Sequence, residues 1–506
     1  MGKAKLFVVA AVLLLLVCVI AVTSYVVLSQ EKEKPFYVGV TYCGRSVQEA
    51  KELIDKVKDY TNLFILQSAT LQNVIDVEEI GDYAIASNLK FAVYTSCSFY
   101  PRSYYSTTYG VNAAKERWGE DFIGVYFYDE PGGDMLDEPS ISYGYVEQQV
   151  DGMPRSLQVS KHGDVISSYY YDNKTATYVY AKYYSDGRIN ITYYNTDYEN
   201  YPFPFDYWYY PDGEITVCQE TWGSEIENIV YTSENITQCP YPVQTYEQVL
   251  KQKPIQNNDD AAKVFVNKTK DRMYGNTGTS YLENMPDDMI VYTGESLNKT
   301  QLDKSVLLFT ADYGLYWWDY KSDYDLVLAE LAWNNSATQE IALVRGAANF
   351  QNKQWGTCIT WKYTHAPFLT DGVEMFEQLK MSYEAGANYV MIFNYSEDPT
   401  NPNILLDEHF SALESFWNDI VQNPAFVHGS IRAKAILVLP ENYGWGMRNQ
   451  HDNIWGIWPA DDASQEVWTK VQSKVNEYGL ELDIVFEKPN FFASWKYADI
   501  YYWHQK

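Results

Sequence analysis

From Phe36 onward, short apolar runs of strand character alternate with amphipathic helical stretches, and this alternation limits the fold more than any other feature of the chain. Phe36 to Cys43 reads F-Y-V-G-V-T-Y-C, a buried strand. Ser46-Val47-Gln48-Glu49 is a capping box that opens a helix with Val47, Ala50, Ile54 and Val57 on one face. Asn62 to Ser68, Lys90 to Ser96 and Phe122 to Asp129 supply three more strands, so four βα repeats pass before residue 137. The alternation resumes at Ser305. Val306 to Asp312, Trp355 to Trp361, Asn388 to Asn394 and Ala435 to Pro440 bring the count to eight. Asp371 to Glu374 is a second capping box whose helix ends at Gly386, and Leu405 to Val421 carries apolar residues at helical spacing. Eight such units make a (β/α)8 TIM barrel of the α/β class the economical fold. Leu482 to Glu487 is one strand candidate beyond that count, which keeps a doubly wound C-terminal subdomain open.

Between the two sets of repeats the pattern changes. From about Glu138 to Pro242 the chain is rich in tyrosine and threonine, alternates at period two and is punctuated by D-G and H-G turns, the signature of antiparallel β structure. Tyr183 to Ile189 (Y-Y-S-D-G-R-I) and Tyr209 to Ile215 (Y-Y-P-D-G-E-I) read as two similar hairpins. The expected layout is residues 1–34 as cytoplasmic tip, membrane anchor and linker, and 35–137 as the first half of the barrel. Residues 138–300 are an inserted β-rich module inserted after the fourth strand, and 301–506 the second half of the barrel with a C-terminal extension.

The N-terminus points to a membrane. Lys3 and Lys5 precede an apolar run from Leu6 to Leu28 broken only by Thr23 and Ser24. Its length suffices for one bilayer crossing, at roughly 20 residues per helix. No small-residue cleavage pattern follows, so an uncleaved signal anchor is expected, with its lysines in the cytoplasm and the main domain on the extracellular side. N-x-S/T sequons at Asn173, Asn190, Asn235, Asn267 and Asn298, with two more at Asn334 and Asn394, agree with that placement. Cys218 and Cys239 are the first choice for a disulfide in an oxidising compartment, and Cys358 the odd thiol. A formal charge of -29 would repel nucleic acid and anionic lipid, so nucleic acid is not an expected partner.

Barrel enzymes place their chemistry at the C-terminal ends of the strands. Those ends hold Asp129 and Glu130 in Y-D-E-P-G-G, Asp312, then Trp361 with Tyr363 and His365, then Asn394 and Glu397. Carboxylates and aromatics dominate. There is no His-Asp cluster for a metal and no nucleophile elbow, phosphate loop or dinucleotide fingerprint, so no metal or cofactor is implied. Trp318, Trp361 and Trp445 follow predicted strands, where flat rings can stack on sugar faces.

Glu-Pro at the end of strand four, with another acid after strand seven, resembles the large clan of (β/α)8 glycoside hydrolases, whose acid/base and nucleophile occupy those two positions. The resemblance maps these roles to Glu130 and Glu397, with Asp312 as reserve partner, and covers the two barrel halves. That clan usually has Asn where this chain has Asp129, and usually places the nucleophile at the strand end, whereas Glu397 comes three residues after Asn394. Apolar neighbours and Asp129 are expected to raise the Glu130 pKa, as an acid requires. The implied function is hydrolysis of glycosidic bonds in a polysaccharide or glycan by two carboxylates, with Asp129, Trp318, Trp361, Tyr363, His365, Asn394 and Trp445 contacting the sugar. The alternative is a non-catalytic surface protein that binds glycans or the cell envelope on the same scaffold.

Overall fold

Eight parallel strands close into a barrel in the computed structural model. It describes residues 35–95, 104–137, 148–150, 153–159, 165–172, 177–195, 205–219, 227–231, 255, 257–274, 297–333, 335–395, 403–488 and 497–504. The first half of the barrel is β1 (Tyr37–Tyr42), β2 (Leu63–Leu66), β3 (Lys90–Thr95) and β4 (Phe122–Phe127). An antiparallel sheet follows in simple up-and-down order, comprising β5 (Gln148–Val150), β6 (Met153–Val159), β7 (Val165–Asp172), β8 (Thr177–Tyr184), β9 (Ile189–Asn195), β10 (Phe205–Tyr209), β11 (Ile215–Gln219) and β12 (Glu227–Tyr231). The barrel is completed by β13 (Leu307–Asp312), β14 (Leu326–Leu331), β15 (Gln354–Ile359) and β16 (Tyr389–Ile392), with β16 pairing back onto β1.

Period-two alternation builds two cores from these strands. Leu63, Ile65, Ala92, Tyr126, Phe309, Ala311, Leu326, Leu328, Cys358 and Met391 point inward and fill the barrel. Their neighbours, among them Val40, Phe64, Val93, Val125, Val327 and Val390, pack outward against the helices. The helices start where the sequence places caps: Ser46 Oγ accepts the Glu49 N–H and Asp371 Oδ1 the Glu374 N–H. Gly386 ends the second of these helices in the left-handed region, φ 87°.

The two D-G hairpins are one turn used twice. Gly187 and Gly213 both have φ 91°, a value that favours glycine. In each, the aspartate Oδ1 accepts the N–H two residues on, Asp186 from Arg188 and Asp212 from Glu214.

The strand count needs one correction. Leu326–Leu331 is the sixth barrel strand, so Gln354–Ile359 is the seventh and Tyr389–Ile392 the eighth. Ala435–Leu439, expected to be the eighth, is instead β17, the centre of a separate parallel sheet with β18 (Leu482–Phe486) and β19 (Asp499–Tyr502). The helix Ala337–Gln351 packs against both β14 and β18 and joins the barrel to this C-terminal layer. The expected membrane helix lies outside the described residues. Among those residues no helix is long and apolar enough to cross a membrane.

Candidate active site

Immediately after β4 the chain turns through two left-handed residues, Tyr128 at φ 56° and Glu130 at φ 51°. That region is uncommon for residues other than glycine, and neighbouring strands hold it here. The Tyr324 hydroxyl donates to Phe127 O (2.9 Å), the Thr310 hydroxyl to Tyr128 O (2.6 Å), and the Glu130 N–H to Ala311 O (3.0 Å). Close approach explains the glycines that follow. A Cβ on Gly132 would lie 2.5 Å from Gly314 O, and one on Gly133 2.2 Å from the Tyr313 ring.

Asp312 anchors this turn. Its carboxylate accepts the N–H groups of Gly132, Gly133, Tyr313 and Gly314, so both oxygens are occupied at the start of the helix Pro131–Asp137. Burial pushes its pKa up to about 8, and the four amides draw it back. Asp319 is fully buried, has no donor to either oxygen among the described residues and meets the Asp312 carboxyl. It therefore carries the proton of that pair.

Glu330 is the residue that sequence reading missed. It continues the inward series Leu326, Leu328 on β14, which aims its carboxyl along the barrel axis at the C-terminal mouth. There it hydrogen-bonds the carboxyl of Glu130. Two carboxyls can bond each other only through a shared proton. Burial raises both, Glu130 to about 8 and Glu330 well above the usual carboxylate range, and the charges of Asp129 and Asp312 add to the effect. Glu330 is 4% exposed, while Glu130 is half-buried, so Glu330 holds the proton and Glu130 ionises first. Asp129 stands beside them. It accepts from the Tyr126 hydroxyl and from Gln67 Nε2 (3.4 Å), and burial raises it to about 6 against the pull of Tyr126.

These shifts have a signed consequence. A carboxyl raised above its unfolded value contributes stability that is fully present below the unfolded pKa and is lost as pH climbs through the folded one. The thermal midpoint is expected to fall between about pH 4 and about pH 8, and Glu330→Gln to flatten that fall. Scanning fluorimetry on both proteins checks this. An equal fall in both would trace it to general repulsion in an acidic chain.

The remaining expected site residues divide. Trp361, Tyr363 and His365 lie on the loop after β15, at the same end of the barrel as Glu330. Trp318 and Trp445 are 0% and 1% exposed, and Trp318 packs on Trp455 and Phe486, so both rings belong to the core. Asn394, 1% exposed, is a loop clamp whose Nδ2 donates to Asn403 Oδ1 and whose Oδ1 accepts the Ile404 and Leu405 N–H groups. Glu397 lies outside the described residues, and by the corrected count it follows the eighth strand. Asn173, Asn235 and Cys239 are also outside, and with Cys239 its pairing with Cys218. Asn190 is 5% exposed on β9, Asn267 is exposed on the helix Asn258–Tyr274, and Asn298 is half-buried. Cys43 and Cys358 are free thiols. Among the described residues no group of three or more His, Cys, Asp and Glu is arranged to hold a metal ion.

The signal that could have found Glu330 is a single charge inside an otherwise apolar run, L-V-L-A-E-L. Such a charge is costly to bury without a purpose. No model of a known protein family matches this chain, and no curated protein matches it, so its fold rests on the molecule's own closed barrel of eight parallel strands.

Proposed function

We propose that this protein is a glycoside hydrolase that cleaves a polysaccharide or glycoprotein glycan with Glu130 and Glu330. The observation that carries the reading is the approach of those two buried carboxyls to hydrogen-bond contact at the C-terminal mouth of a parallel barrel. Two-carboxylate cleavage needs one protonated and one ionised group on the same bond. Hydrogen-bond contact leaves no room for water between the pair. That is closer to the spacing of retaining enzymes, about 5–5.5 Å, than to the roughly 6.5–9.5 Å of inverting ones.

In this mechanism the Glu130 carboxylate forms a bond to the anomeric carbon as the glycosidic C–O bond breaks. The departing oxygen keeps the electron pair and takes the proton of Glu330. Water then gives a proton to Glu330 and attacks the same carbon, and the bond to Glu130 breaks. Tyr126 holds Asp129, the residue before Glu130, and Asp312 holds the turn that carries both. This exchanges the role first read for Glu130, because the more deeply buried partner keeps the proton.

The test compares purified full-length protein with Glu130→Gln on a panel of glycans, following reducing-end release. Wild type is expected to cleave at least one glycan, and the variant to be slower by about 10²–10⁴-fold with binding retained. Equal rates would remove Glu130 from the mechanism. Wild type that binds without turnover would favour the non-catalytic glycan-binding reading.

The Leu6 to Leu28 run and the flanking Lys3 and Lys5 support display of the barrel outside the cell on one membrane helix. Protease treatment of intact cells would then remove the barrel. A protected chain would reverse the orientation.

A further inference from the structure

Three consecutive strands carry aromatic residues at one level above the carboxyl pair. The register aligns Leu331 on β14 with Ile359 on β15, and Ile359 with Ile392 on β16. Trp333 comes two residues after the first of these positions, Trp361 two after the second and Tyr395 three after the third. Adjacent strands lie about 4.8 Å apart, so the three positions span on the order of 10 Å. The sites are tied to each other as well as to their strands. Trp333 N donates to Trp361 O (3.0 Å), and Trp361 Nε1 donates to Tyr395 O (2.8 Å). The Trp361 and Tyr395 rings are within 3° of parallel, with centroids 6.2 Å apart, and Phe368 packs on Trp361 at 5.0 Å.

Trp333 is the unusual member. The residue is 41% exposed although tryptophan is among the residues that gain most from burial, and its backbone stands at φ 51°. A left-handed tryptophan is a genuine outlier that costs free energy. Neither exposure nor strain serves packing, and the residue sits three positions beyond Glu330. Tyr363, 43% exposed, extends the same surface from the loop after β15. A row of apolar ring faces with hydrogen-bonding edges matches the alternation of C–H faces and hydroxyl rims on a sugar chain.

We infer that Trp333, Trp361, Tyr363 and Tyr395 form a ledge over strands six to eight that seats the sugar units next to the bond being cleaved, so the substrate is an oligosaccharide or polysaccharide rather than a single terminal sugar. The inference rests on the glycosidase reading for the position of that bond. Trp333 is the specificity-determining residue: it binds the chain and takes no part in proton transfer.

The experiment uses full-length protein carrying Glu130→Gln, so that ligands bind without turnover. Cellohexaose, xylohexaose, mannohexaose, chitohexaose, laminarihexaose and maltohexaose, each with its monosaccharide, are titrated by calorimetry. At least one hexasaccharide is expected to bind at least about tenfold more tightly than its monosaccharide. Adding Trp333→Gly should remove that advantage, and Trp333→Tyr should restore most of it. Glycine suits φ 51°, so the glycine variant is expected to keep the wild-type thermal midpoint. Unchanged hexasaccharide affinity in Trp333→Gly would overturn the ledge, as would no binding by any of the six. The outcomes separate the two readings. A hexasaccharide held through Trp333 but left uncleaved by wild type would defeat the hydrolase and keep the ledge, whereas cleavage indifferent to Trp333 would do the reverse.

Discussion

Glu330→Gln should lower glycan turnover by about 10²–10⁴-fold while leaving the barrel folded. The glutamine side chain has nearly the shape of the protonated acid it replaces. Its amide can still donate to Glu130, so the contact across the mouth survives and only the transferable proton is lost. Two measurements then part. Turnover collapses, while the limb of the pH profile set by Glu130, held near 8 by burial and by neighbouring Asp129 and Asp312, keeps its position, because Glu330 is neutral when Glu130 ionises and the amide preserves its hydrogen bond. A variant that loses activity only by unfolding would show a lowered thermal midpoint. A folded variant with undiminished turnover would exclude Glu330 as the acid.

Arg345→Ala should be the most destabilising single change outside the site, at about 3–5 kcal/mol. Arg345 and Asp483 are 5% and 0% exposed in their side chains and meet at 2.7 Å between the helix Ala337–Gln351 and β18. The guanidinium also donates to the carbonyls of Leu480 (2.6 Å) and Leu482 (3.0 Å). Asp483 in turn accepts from Asn349 (3.1 Å) and the Tyr497 hydroxyl (2.7 Å). Alanine leaves a buried carboxylate without its cation. The double variant Arg345→Met/Asp483→Leu should recover much of the loss, because an apolar replacement removes both charges together. Urea unfolding of the three proteins decides the matter. A cost below about 1 kcal/mol for Arg345→Ala would mean that water reaches the pair.

Most of the barrel was legible because its strands announce themselves. F-Y-V-G-V-T-Y and F-I-G-V-Y-F are rich in β-branched and aromatic residues, and the helices between them open on Ser and Asp caps. Leu326–Leu331 was not, because L-V-L-A-E-L is built largely from good helix formers and is too short for periodicity to separate a buried strand from a helix turn. Missing it shifted every later strand by one, and the search for an acid after strand seven moved to the loop after strand eight. Half of the carboxyl pair was therefore readable. Glu130 ends its strand before Pro and two glycines, a visible break, whereas Glu330 hides within an apolar run and is revealed only by which way its strand faces. Trp318 and Trp445 show the converse limit. Position after a strand does not say whether a ring turns toward solvent, and Phe486 and Trp455 draw Trp318 inward.

The left-handed backbone at Glu130 bears on the chain's history. Glycine or asparagine would occupy φ 51° with less strain, by about 1 kcal/mol for glycine. A barrel that no longer used this carboxyl would relieve its backbone by such a substitution but would strip the buried Glu330 of its hydrogen-bond partner. Drift at this position would therefore meet two opposing terms, the strain that a smaller residue removes and the unpaired carboxyl that it leaves.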